Sequence, residues 1–164
     1  RVQVAQTHKT VALAHIGDGV YELMMRTALC AAGLTAVTDL HREKMLVIAN
    51  RLPDQDVSLG APGGKLAVVG WGSTFGPIHQ AVKRARAKGL DVSHIHIRHI
   101  WPLPKNLGEL LKSYDKIIVP EMNTGQLKTV LRDQYLVDAR PLNKVSGQPF
   151  KIAEIEAAIE GALG

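Results

Sequence analysis

From Leu66 onward, short apolar runs alternate with stretches of helical periodicity, and this alternation constrains the fold more than any other feature. Leu66-Ala67-Val68-Val69 reads as a strand buried on both faces, followed by the glycine-rich turn Gly70-Trp71-Gly72-Ser73-Thr74-Phe75-Gly76. A helix is predicted from about Pro77 to Lys88, with Pro77 in its first turn and Gly89 as the residue that ends it. Asp91 to Ile100 alternates as a strand, stopped by Pro102 and Pro104. Asn106 can cap a helix bearing Leu107, Leu110 and Leu111. Lys116 to Val119 is a third strand that Pro120 should end, and Leu127, Val130 and Leu131 mark one face of the next helix. Val137 to Val145 is a weaker strand, confined by Pro141 to an edge or a bulge. Ile152, Ile155, Ile159 and Leu163 define a closing helix. Strands alternating with helices across short loops predict a three-layer α/β fold on a largely parallel sheet.

Residues 1–52 read as helices only. Thr7 or Thr10 can cap a helix carrying Leu13, Ile16, Val20, Leu23, Met24 and Ala28, which Gly33 ends; Thr38 can cap a second, with Leu40, Val47, Ile48 and Leu52. Residues 53–64 are rich in proline, glycine and aspartate, so a linker is expected there, preferred by proteases, between a helical segment at 1–52 and the α/β domain at 65–164. The chain has 164 residues, 46% of them apolar, which is enough for one core and argues against disorder. No apolar run reaches the roughly 20 residues of a bilayer-crossing helix, and Arg1 to Lys9 lacks the apolar core of a signal peptide. The one cysteine, Cys30, can neither close an internal disulfide nor hold an iron–sulfur cluster, and suits a reducing cytoplasm.

The net charge of +5 arises entirely after residue 60, and Lys83, Arg84, Arg86 and Lys88 concentrate part of it on one predicted helix. A solvated helix face explains that cluster better than a nucleic-acid surface, because aromatics for base stacking make up only 4% of the chain.

Four features could carry chemistry. Asp18 stands between Gly17 and Gly19, and Glu22 follows one turn later on the same side, so the pair could face a divalent cation; close helix packing is the simpler reading. The turn with Gly70, Gly72, Ser73 and Thr74 joins a strand to a helix, where backbone N–H groups can cradle phosphate. Its glycines miss the dinucleotide spacing by one residue and no Lys-Ser/Thr follows, so a structural turn is the stronger reading. His94, His96 and Arg98 share one strand face opposite Ile95 and Ile97. Two histidines at that spacing could ligate a metal, but a polar face on an α/β sheet points rather to an edge or a subunit contact.

Leu13-Ala14-His15-Ile16-Gly17-Asp18-Gly19-Val20-Tyr21-Glu22-Leu23, Arg26 and Asp39-Leu40-His41-Arg42 together resemble the start of Mini-ribonuclease III. The resemblance implies that Asp18 belongs to a Mg²⁺ site, with double-stranded RNA as partner. The family's later metal-binding carboxylates have no counterpart, and one carboxylate pair is too little for two-metal hydrolysis.

A second set covers about three quarters of the chain, from about His41. Val69 to Gly76, His94 to Arg98 leading into Pro102-Leu103-Pro104, Val119-Pro120-Glu121-Met122-Asn123-Thr124-Gly125-Gln126-Leu127 and Gly147-Gln148-Pro149-Phe150 resemble the C-terminal domain of the alpha subunit of 2-oxoacid:ferredoxin oxidoreductases, most of all the 2-oxoglutarate enzymes. The resemblance implies a transketolase C-terminal-like α/β domain within an enzyme that decarboxylates a 2-oxoacid on thiamine diphosphate, reduces ferredoxin through an iron–sulfur cluster and forms an acyl-CoA. The thiamine, Mg²⁺ and cluster sites lie in other domains and in the beta subunit. No catalytic residue is therefore carried onto this sequence, and the isolated chain is expected to bind no cofactor and oxidise no 2-oxoacid. Its implied role is scaffold and interface toward the beta subunit, with ferredoxin and CoA met through the whole complex. The unlike start is expected to reflect a fusion or false join near His41-Arg42-Glu43-Lys44.

Overall fold

The structure, a computed structural model, describes residues 37–164, with side chains from Arg42 onward. Asp18, Glu22 and Cys30 lie outside the described residues. Two compact units divide the chain, Arg1–Arg51 and Leu52–Gly164. Helix α1 (Val37–Arg51) belongs to the first and begins one residue before Thr38, its expected cap.

The second unit carries β1 (Gly64–Trp71), α2 (Phe75–Ala87), β2 (Val92–Ile97), α3 (Leu107–Lys112), β3 (Tyr114–Glu121), α4 (Gln126–Tyr135), β4 (Ala139–Asn143) and α5 (Ile152–Leu163). The strands form one parallel sheet in the order β2-β1-β3-β4. β1 is a central strand, so Leu66 and Val68 face one layer and Ala67 and Val69 the other. That explains its unbroken apolar run. On the first face lie Ile78, Ala81, Val82 and Ala85 of α2 with Ile155 and Ile159 of α5; on the second lie Leu107 and Leu111 of α3 with Leu127 and Leu131 of α4. These are the three layers predicted from the alternation. Among the described residues no helix is long and apolar enough to cross a membrane.

Gly89, at φ +83°, ends α2 as expected, and Pro141 lies on the edge strand β4. Pro120 does not end β3, which continues to Glu121. The ladder with β1 stops at Ile118, so the proline sits where β3 is paired on one side only.

Residues 53–64 differ most from expectation. Instead of a free linker, residues 53–63 form a strap along the outer edge of β2 and Gly64 opens β1. Ser58 and Leu59 donate their N–H groups to the His94 carbonyl at 2.8 and 3.3 Å, and the His94 N–H returns a bond to the Leu59 carbonyl at 2.8 Å. The Asn106 side chain does not cap α3; it accepts the Gln55 N–H at 2.7 Å and donates to the Gln55 carbonyl at 3.0 Å. The Tyr114 hydroxyl donates to the Ala61 carbonyl at 2.6 Å. Proline and glycine here shape a segment whose polar backbone is satisfied by partners 32 to 53 residues away in sequence, which local composition does not reveal.

Candidate functional site

β1 and β3 are neighbours whose connections diverge, β1 leading through α2 to β2 and β3 through α4 to β4. The crevice outside their carboxyl ends is where ligands settle in open α/β sheets. Here it holds about 340 Å³ and is lined by Trp71, Gly72, Ser73, Thr74, Met122 and Asn123.

Beneath it lies Glu121, wholly buried. Its Oε1 accepts the Leu127 N–H at 2.8 Å, the Asn123 Nδ2–H at 3.2 Å and the Trp71 Nε1–H at 3.4 Å; its Oε2 accepts the Lys128 N–H at 3.0 Å. Asn123 Oδ1 accepts the N–H groups of Gly125 and Gln126 at 2.7 and 3.1 Å. The free donors at the start of α4 are therefore answered from within the chain by one buried carboxylate and one amide, and the carboxylate also meets the positive end of the helix dipole. Gly125, at φ +95°, supplies the left-handed turn that brings Glu121 back under the helix it caps. Sequence reading missed Glu121 as an anchor. Its signal was a carboxylate six residues before the first apolar position of a helix, with Asn and Gly between them.

The candidate phosphate turn is built as a packing device. The Thr74 hydroxyl donates to the Trp71 carbonyl at 2.8 Å and accepts the Trp71 N–H at 3.1 Å, so it closes the turn on itself. Gly72 takes φ +58°, which favours glycine, while exposed Ser73 borders the crevice. Gly70 is a seat for α2: a Cβ there would collide with the Ile78 Cδ1 and lie 2.8 Å from the Thr74 Oγ1. Gly70→Ala is expected to destabilise the domain by about 2 kcal/mol through overpacking. Gly76→Ala, in the first turn of α2 and with Pro77 next in the chain as the only group near the new Cβ, should cost less than about 1 kcal/mol. Urea unfolding of the pair checks the contrast, and equal losses would refute the packing role of Gly70.

The expected polar face of β2 is only partly available. Ile95 and Ile97 point into the α3/α4 layer as predicted. His94, on the opposite side, is 0% exposed and cannot itself meet a partner, because the first turns of α2 cover that side of the strand. Its ring centroid lies 5.3 Å from Phe75, 5.7 Å from His79 and 5.8 Å from His96. Both nitrogens of His94 and the Nδ1 atoms of His79 and His96 are buried without a hydrogen-bond partner. Burial, with the neighbouring imidazoles of His96 and His79, pushes His94 down to about 3. His96 is also lowered, by burial and then by the Arg98 charge. The Phe75 ring stands 5.0 to 5.3 Å from all three imidazoles and fills the centre that an ion would need. Among the described residues no group of three or more His, Cys, Asp or Glu could hold a metal. Arg98 lies past the end of β2, exposed, and among the described residues it makes no hydrogen bond or ion pair. With His96, His99, Phe75, Asp54 and Asp56 it lines a second cleft, of about 430 Å³, closed on one side by the strap.

This arrangement of sheet, crevice and turns matches a known family. The family model of the pyruvate:ferredoxin oxidoreductase core domain II fits residues 64–155. The chain belongs to this family.

Relatives of this core domain II carry the names subunit KorA and subunit alpha. The 2-oxoglutarate oxidoreductase subunit KorA of Mycobacterium tuberculosis is 46% identical over 112 residues, 68% of this chain and 17% of that protein. The 2-oxoacid:ferredoxin oxidoreductase 2 subunit alpha of Aeropyrum pernix is 30% identical over 125 residues, 73% of this chain and 20% of that protein. This chain thus spans a fifth or less of these relatives' length. The 2-oxoglutarate:ferredoxin oxidoreductase of Magnetococcus marinus, solved with 2-oxoglutarate, coenzyme A and succinyl-CoA bound, superposes with a TM-score of 0.70 at 23% identity, over 80% of this chain and 24% of that one. A split-gene transketolase, as an inactive beta4 tetramer, superposes with a TM-score of 0.53 at 16% identity, over 69% and 43%. Both likenesses concern the fold, and they bear out the transketolase-like α/β expectation. The Mini-ribonuclease III-like start lies outside the family match.

Proposed function

We propose that this chain supplies a scaffold and interface domain to the alpha subunit of a 2-oxoacid:ferredoxin oxidoreductase of the 2-oxoglutarate type. The family match over residues 64–155 carries this reading, together with alpha-subunit relatives at up to 46% identity. The whole enzyme would decarboxylate a 2-oxoacid on thiamine diphosphate, pass electrons through an iron–sulfur cluster to ferredoxin and form an acyl-CoA. The residues here do not fit those groups. A cluster needs about four cysteines and the sequence has one. The buried carboxylate at the crevice is spent on capping α4.

The contact surface of the domain is centred on Arg98, with the outer side of His96 beside it. An exposed arginine without a partner is the kind of group that interfaces recruit. Arg98→Glu is expected to weaken association with the beta subunit at least 10-fold, by sedimentation of the co-expressed subunits, while unfolding free energy stays within about 0.5 kcal/mol. Unchanged association would remove Arg98 from the interface. A chain that oxidises a 2-oxoacid alone, or purifies with iron–sulfur absorption, would overturn the scaffold reading itself.

A further inference from the structure

Leu136 breaks two rules of the isolated fold at once. It follows α4 in the left-handed conformation, at φ +54° and ψ +41°, and its N–H closes the helix on the Arg132 carbonyl at 3.0 Å. Every other residue with positive φ among those described is a glycine, seven in all, Gly89 at the end of α2 included. A side chain is strained in that conformation, so a leucine costs the fold stability that a glycine would return. The leucine gives nothing back. It is 90% exposed, more than any other exposed large apolar residue described. The apolar contact that often accompanies such a cap is made instead by the next residue, since Val137 is buried in one cluster with Leu127, Leu131 and Ala139. Backbone strain that serves neither the cap nor the core points to a contact outside the domain.

We propose that Leu136 is an anchor which the beta subunit buries in an apolar socket with an acidic lip. That partner exists only on the alpha-subunit reading above, and this contact is a second one, apart from Arg98. Arg98 follows the carboxyl end of β2, on one edge of the sheet, while Leu136 precedes the amino end of β4, on the other. The surroundings of Leu136 define the chemistry. It stands beside a shallow hollow of about 310 Å³ whose other walls are Arg132, Val137 and Asp138. Asp138 accepts from Arg132 at 3.2 Å and from Arg140 at 3.3 Å, so two guanidinium groups share one carboxylate and the rim is left positive. Asp133, the other carboxylate nearby in sequence, does not line the hollow and, among the described residues, pairs with neither arginine. A second copy of the chain would set that positive rim against itself, whereas carboxylates around an apolar socket would answer both the rim and the leucine. A single protruding leucine is also too little apolar area to hold a bilayer.

Leu136→Gly and Leu136→Asn separate strain from contact, because both residues suit the left-handed conformation. Each should raise the melting temperature of the full chain by about 2–5 °C and yet weaken its association with the co-expressed beta subunit about 10-fold or more, by sedimentation. A variant that is more stable but binds less is the signature of an anchor, and a merely structural leucine would not give it. In a third variant, benzoylphenylalanine at position 136 should photo-cross-link to the beta subunit in the assembled complex. Unaltered subunits that do not associate would overturn the alpha-subunit reading and this contact with it. Where they do associate, three results each overturn the anchor and leave that reading standing: association unchanged in both variants, a melting temperature that falls in both, or cross-links only within the chain or to a second copy.

Discussion

Glu121→Ala should destabilise the second unit by about 3 kcal/mol, and lower its melting temperature by about 10–15 °C. The buried carboxylate answers two N–H groups at the start of α4, the Trp71 indole and the Asn123 amide. Removing it leaves the Leu127 N–H buried without an acceptor, while the other donors lie closer to solvent. One orphaned buried donor costs about 1–3 kcal/mol, and the lost charge at the helix start adds to that. Glu121→Gln keeps the volume and one acceptor but turns an NH₂ toward backbone donors, so it should recover about half of the loss. Thermal and urea unfolding give both values. A loss below about 1 kcal/mol for the alanine variant would show that water replaces the carboxylate. Because Glu121 also fixes the Trp71 indole, the alanine variant should loosen the crevice wall as well.

Ile155→Ala is expected to cost about 3 kcal/mol, and Ile152→Ala less than about 1. Both isoleucines stand on the same stripe of α5, but Ile155 is fully buried against α2 and the sheet, whereas Ile152 is only partly covered. The ion pairs that tie α5 to its surroundings, Lys88 to Glu160 at 2.7 Å, Lys144 to Glu154 at 2.8 Å and Arg84 to Glu156 at 3.6 Å, each keep at least one partner exposed and contribute orientation more than stability. Equal losses for the two variants in urea unfolding would mean that α5 is held by its ends rather than by its core face.

The candidate site was legible only where its signal was local. The turn after β1 could be read from its glycines, since a φ of +58° at Gly72 favours glycine and the close approach of α2 at Gly70 demands a missing Cβ. The capping role of Glu121 had a local signal, since Asn123, Leu127 and Lys128 lie two to seven residues away, but its bond to the Trp71 indole, 50 residues away, was not legible. His94 was read as surface for a related reason. Period-2 alternation tells which residues share a face, but not what covers that face, and a helix turn carrying Phe75 and His79 buries it.

What the sequence alone determined was the layer architecture. Apolar runs of strand length, helical stripes such as Ile155 and Ile159, and punctuation by Gly89 and Pro141 are each set within about ten residues of chain, and their alternation leaves few topologies open. What only the tertiary structure decided were the fates of groups whose partners are distant: the strap at 53–63 seated on β2, the Trp71 indole bonded to Glu121 and the unpartnered histidines beneath the first turns of α2. Hydrophobic periodicity is a property of neighbours along the chain. The satisfaction of a buried polar group depends on which remote donor or acceptor the fold brings to it, and no local pattern encodes that.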